Sequence, residues 1–180
     1  TIDVLVPRAA DTLWVASAFR DAGVGVVTDQ LAVELLRAND ACRAVLLEAL
    51  SSLRPRALGA EAVTCIALAM GQGQPAAGLD TGETEALLVK LLPLGSARIR
   101  ERIVAELHTR GAFCYMSEVM TALDGQEPPA LHEFTKGALR AGAEGRDAVE
   151  RVWRAFPRAR KRLLALSCEV GVPSESGARL

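Results

Sequence analysis

The stretch Leu31-Ala-Val-Glu-Leu-Leu-Arg-Ala-Asn-Asp-Ala-Cys-Arg-Ala-Val-Leu-Leu-Glu-Ala-Leu50 sets the reading of the fold. Leu31, Leu35 and Leu36 fall on one face at helical spacing, and Asn39-Asp40 can end that helix and start another. Cys42, Val45, Leu46, Ala49, Leu50 and Leu53 form the stripe of the second helix, which Pro55 terminates. The outline recurs downstream. Leu91-Leu92 precedes a break at Gly95-Ser96, then Arg100 with Ile103 and Leu107. Ala138-Leu139 precedes Gly142-Ala143, then Arg146 with Val149 and Trp153. Doublet and arginine are 8, 9 and 8 residues apart in the three copies. Arg43 and Arg100 are 57 residues apart and Arg100 and Arg146 are 46 apart; treating the Gly-rich stretch 71–82 as an insertion leaves a period of roughly 45, in the range of stacked helical repeats.

Elsewhere the periodicity is also helical. Helices are expected over 11–20, where Asp11 can cap a face of Trp14, Val15, Ala18 and Phe19, and from Gly59 to Met70. Others are expected from Ser117 through Leu123, from Pro128-Pro129 to Ala141, over 146–156, and from Pro157 to about Val170. No segment alternates convincingly as a strand, so the class is all-α with nine to eleven helices. The domain plan is an extended N-terminal segment at 1–10, a single helical repeat domain at 11–172 with the loop insertion 71–82, and a flexible tail at 173–180.

The chain has 180 residues, half of them apolar but only 4% aromatic, so Ala, Leu and Val must supply the core. That length buries roughly two-thirds of the unfolded surface without a metal or disulfide. A net charge of −1 gives no global steering toward nucleic acid or acidic lipid. Cys42, Cys65, Cys114 and Cys168 form no CxxC, and each lies in an apolar run. They are expected to be buried, reduced thiols of a cytoplasmic protein. No apolar run reaches the roughly 18 residues of a membrane helix. No metal or other cofactor is expected.

Residues 31–53 and 86–107 resemble the second and third helices of armadillo repeats; the copy from Leu131 to Phe156 is poorer, with Ala138 and Glu150 at positions where leucine or valine stands elsewhere. The resemblance implies an irregular armadillo/HEAT-like α-solenoid of about three units; the alternative is a compact orthogonal helical bundle. It also implies a concave groove lined by helices 41–53, 97–109 and 146–156. The asparagines with which armadillo proteins grip a peptide backbone align with Ser52, Thr109 and Ala155, and their tryptophans with Leu47, Val104 and Glu150. That ladder is absent, and its mode of binding does not carry over.

Several motifs invite chemistry. Asp80-Thr81-Gly82 matches the aspartic-protease triplet, but it precedes a helix and reads as an N-cap. The stretch 71–78 follows no strand and lacks the spacing of a dinucleotide loop. His108 and Cys114 are six residues apart, the one pairing that would support a helical enzyme. The densest charge is at 151–162, six basic residues in twelve, interleaved with Trp153 and Phe156, which fit the buried stripe. Pro157 splits these charges between two helices. The functional expectation is a non-catalytic protein–protein interaction module of a larger intracellular scaffold or regulatory protein. Its partner-binding residues would be Arg98, Arg102, Thr109, Arg151, Arg154 and Arg158. The partner would be another protein, with self-association or continuation of the array also open. The alternatives are nucleic-acid binding through 151–162 and an α-helical enzyme domain.

Overall fold

The computed structural model describes residues 29–53, 60–71 and 80–171. Among them every regular element is helical: α1 (Asp29–Arg37), α2 (Asp40–Leu53), α3 (Ala60–Met70), α4 (Thr81–Leu91), α5 (Ala97–Arg110), α6 (Met116–Leu123), α7 (Pro129–Arg140), α8 (Ala143–Ala155) and α9 (Arg160–Val170). Short 3-10 turns occupy Leu92–Leu94, Phe113–Tyr115 and Pro157–Ala159. The expected helix at 11–20, the segment at 1–10 and the tail at 173–180 lie outside the described residues.

The chain divides into two compact units, one of residues 1–87 with 94–99, the other of 88–93 with 100–180. In the first, α1 packs far more extensively on α3 than on α2, its neighbour in sequence. Ala32, Leu35 and Leu36 of α1 and Ala62, Cys65 and Leu68 of α3 are all buried. In the second, α7 packs on both α8 and α9, while α8 also packs on α6. Leu131, Phe134, Thr135, Ala138 and Leu139 of α7 recur at the helical period and are buried, as are Gly145, Ala148, Val149 and Val152 of α8. The buried Thr135 hydroxyl donates to the Leu131 carbonyl at 2.7 Å, so no polar atom is stranded there.

This packing overturns the armadillo/HEAT-like solenoid. A solenoid stacks each unit on the next along the chain, whereas here helices pair with partners two elements away within each unit. The compact-bundle alternative describes each unit better. The recurring doublet, break and arginine turn out to mark helix corners, which are local. At the first, Asn39 Oδ1 accepts from Cys42 N at 2.9 Å and caps α2. Arg43, 4% exposed, donates to the carbonyls of Leu35 (3.0 Å) and Ala38, completing the end of α1. It also donates to the Ser96 hydroxyl at 3.0 Å and pairs with Asp40. Arg100 donates to Pro93 O at 3.2 Å, and Arg146 to Gly142 O at 3.1 Å. Each arginine thus satisfies a carbonyl at the turn behind it, a job that sets no superhelical period.

Of the expected insertion at 71–82, residues 72–79 lie outside the described residues. Gly71 ends α3 with φ of 81°, a left-handed conformation suited to glycine. Asp80 Oδ1 accepts from Glu83 N at 2.7 Å while Asp80 N donates to Glu83 Oε2 at 3.1 Å. That reciprocal capping box opens α4, so Asp80-Thr81-Gly82 is a helix start.

Candidate functional site

The basic stretch 151–162 is built by α8, the 3-10 turn and α9. Helix α8 buries Ala148, Val149 and Val152, which turns Arg151 and Arg154 outward. Pro157 has no N–H to continue the ladder, so the chain turns at 157–159, burying Ala159 and leaving Arg158 exposed. Helix α9 then starts at Arg160 and buries Leu163 and Leu166, which leaves Arg160 and Lys161 outside. Trp153 and Phe156 are only half-buried, a correction to the expectation that both lie in the core.

The six cations differ in what they already hold. Arg154 pairs with Glu150 one helical turn back. Arg162 points inward, 21% exposed, with Nη1 3.1 Å from Glu127 Oε1 but out of line for a hydrogen bond. Arg151 Nη2 donates to the Cys114 carbonyl at 3.3 Å. Arg160 Nε donates to the Trp153 carbonyl at 2.9 Å, and its guanidinium carbon lies 5.8 Å from the centre of the Trp153 ring. A carbonyl satisfies a donor but leaves its charge uncompensated. Arg158 and Lys161 are exposed and have no partner among the described residues. Four positive charges (Arg151, Arg158, Arg160 and Lys161) therefore face solvent with no carboxylate against them among the described residues.

The other expected binding residues do not join this cluster. Arg98 belongs to the first unit, where its Nη1 contacts Asp40 Oδ2 at 2.9 Å. The Arg98 and Arg43 guanidiniums together hold the Asp40 carboxyl below its ordinary range. On α5, Arg102 is half-buried, and the exposed Thr109 donates its hydroxyl to the Ala105 carbonyl at 3.0 Å. Of the six expected residues, only Arg151, Arg154 and Arg158 share one stretch. Arg160 and Lys161 are its added members, and the signal for them was Pro157, which restarts the helix three residues on.

Beside this stretch, Glu127, Pro128, Pro129, His132, Glu133 and Arg162 line an open cleft of about 500 Å³. Glu169 meets Lys136 Nζ at 2.8 Å and His132 Nε2 at 3.8 Å. The Lys136 hydrogen bond, opposed by partial desolvation, lowers the Glu169 carboxyl below its ordinary range. The His108–Cys114 pairing finds no support at the imidazole: His108 Nδ1 is buried without a hydrogen-bond partner and its ring centroid lies 6.1 Å from that of Phe113. A Cβ added at Gly137 would fall 2.7 Å from His108 Cε1 and 2.8 Å from Phe113 Cζ, so that histidine fills a packing niche against α7. Cys42 and Cys65 are buried as expected, whereas Cys114 and Cys168 are exposed; none of the four is in a disulfide. No three His, Cys, Asp or Glu residues among the described residues gather as metal ligands. No helix among the described residues is long and apolar enough to cross a membrane.

Comparison of the chain with known protein families, with curated proteins and with solved structures finds no match.

Proposed function

We propose that the chain is a non-catalytic binding module that engages nucleic acid through the basic surface at 151–162. One observation carries the reading: Arg151, Arg158, Arg160 and Lys161 stay exposed with no carboxylate partner among the described residues, although acidic residues outnumber basic ones in the chain, 22 to 21. Soluble surfaces usually intersperse charges of both signs. Four uncompensated cations within eleven residues make a local positive field that polyphosphate fits. A cytoplasmic, reducing setting belongs to the same reading, since the exposed Cys114 and Cys168 would remain thiols there.

The test is fluorescence anisotropy of a labelled oligonucleotide titrated with the full chain at low and high salt. Binding that weakens steeply with salt supports the reading, and no binding at low salt rejects it. A protein partner is the second reading. It is favoured by the outward face of α9, where Leu164 is 46% exposed and is flanked by exposed Ala165 and Cys168. An interface built on that face would respond little to salt.

A further inference from the structure

Resting on the nucleic-acid reading, we infer that this surface holds the phosphate backbone of a duplex and neither stacks on bases nor reads their edges. Single-strand binders lay successive bases on exposed aromatic rings. Among the described residues no aromatic side chain is exposed: Phe134 is buried, and Phe113, Tyr115, Trp153 and Phe156 are half-buried. The ring best placed for stacking, Trp153, has the Arg160 guanidinium over it, and Arg160 is fixed there by its bond to the Trp153 carbonyl. A base would have to displace a cation already seated on the ring.

Groove reading is disfavoured by the two helices that flank the turn. A recognition helix lies along the major groove with several side chains aimed at base edges. On α8 the exposed residues Glu144, Asp147, Arg151 and Arg154 run along one face. The carboxylates at its first half would meet phosphates if the helix lay lengthwise in a groove. On α9 the outward face passes from Lys161 at its start to Leu164, Ala165 and Cys168, and those three side chains make no bidentate base contact, so the face offers a single cation to a groove. No Asn or Gln occurs between 151 and 162. What remains is the corner itself, whose charged tips suit phosphate oxygens.

Four cations give a bound on the salt dependence. Each neutralised duplex phosphate contributes about −0.9 to the slope of log K against log salt, so four give a slope of about −3.6. Between 50 and 200 mM salt that is a loss of roughly a hundredfold.

The experiment measures anisotropy of the full chain with two 20-base-pair duplexes of unrelated sequence, with one strand of each, and with phosphatidylserine vesicles. The expected result is equal affinity for the two duplexes within about threefold, a single strand bound no tighter than its duplex, and a slope between about −3 and −4. The double variant Arg158→Ala, Lys161→Ala, with its helicity checked by circular dichroism, should flatten the slope by about two. A tenfold preference for one duplex, or for single strands, overturns the inference while leaving the nucleic-acid reading in place. A double variant that is folded yet has an unchanged slope removes this surface from both. Absence of binding to any oligonucleotide overturns both, and vesicle binding in its place assigns the patch to anionic lipid.

Discussion

At the α1–α2 corner, Arg43 is 4% exposed and reaches two carbonyls, a hydroxyl and a carboxylate. At the α7–α8 corner, Arg146 is exposed and its side chain makes one bond among the described residues, from Nε to Gly142 O at 3.1 Å. The second corner is held instead by contact. A Cβ on Gly145 would lie 2.0 Å from the Ala138 carbonyl oxygen, so the first turn of α8 touches the backbone of α7 where only a hydrogen fits. The Gly145 position corresponds in the first corner to Cys42, whose side chain is buried beside the buried Arg43. Two corners of one sequence outline thus close by opposite means, one by a polar staple and the other by backbone proximity.

The contrast is sharpest under substitution. Gly145→Ala should cost about 3 kcal/mol, because the clash is with backbone and cannot be relieved by a rotamer change. Urea melts of the variant would show it as a lower midpoint; an unchanged midpoint would mean that α7 and α8 do not touch at this point. Next comes Arg43→Ala, which strips donors from the carbonyls of Leu35 and Ala38 and should cost about 2–3 kcal/mol. The matched change Arg146→Ala should stay within about 0.5 kcal/mol. Equal losses at the two arginines would erase the comparison.

The smallest effect concerns acidity. The carboxyl of Asp40 sits below its ordinary value of 3.8, first through its hydrogen bond with Arg98 and then through that with Arg43. A carboxyl lowered on folding adds stability that is in place above the unfolded value and fades as pH falls through the folded one. Thermal melts between pH 5 and pH 2.5 should therefore drop less steeply for Asp40→Asn than for the parent, the gap between the two narrowing below about pH 3.8. Parallel curves would show that the exposed pair contributes nothing to the first corner.

These corners also show what was legible in the sequence. The stripes of α7 and α8, the caps at Asn39 and Asp80, and the stop at Pro157 follow from spacing and residue type, and the helices appear where they predict. Which helix meets which did not follow. The doublet-and-arginine outline is satisfied within one turn of chain, so its recurrence constrains corners and leaves the pairing of α1 with α3, or α7 with α9, to the fit of whole faces. Glycines such as Gly145 and Gly137 decide that fit, and their role appears only once the opposing backbone or ring is in place. The basic stretch was legible as composition, whereas Arg154, expected among the partner-binding residues, turns out to be held by Glu150 one turn back. The bond from Arg160 to Trp153 and the inward turn of Arg162 depend on the 3-10 turn, and sequence spacing across a break carries no such geometry.

The four thiols divide cleanly between the units, and this makes the protein its own probe. Cys42 and Cys65 are buried in the first unit, and Cys114 and Cys168 are exposed in the second. An alkylating reagent will therefore modify two sulfurs at the rate of an exposed thiol and two only when the first unit opens. The slow phase clocks that opening without any label, and because both slow sulfurs belong to one unit, it reads that unit's breathing separately from its neighbour's.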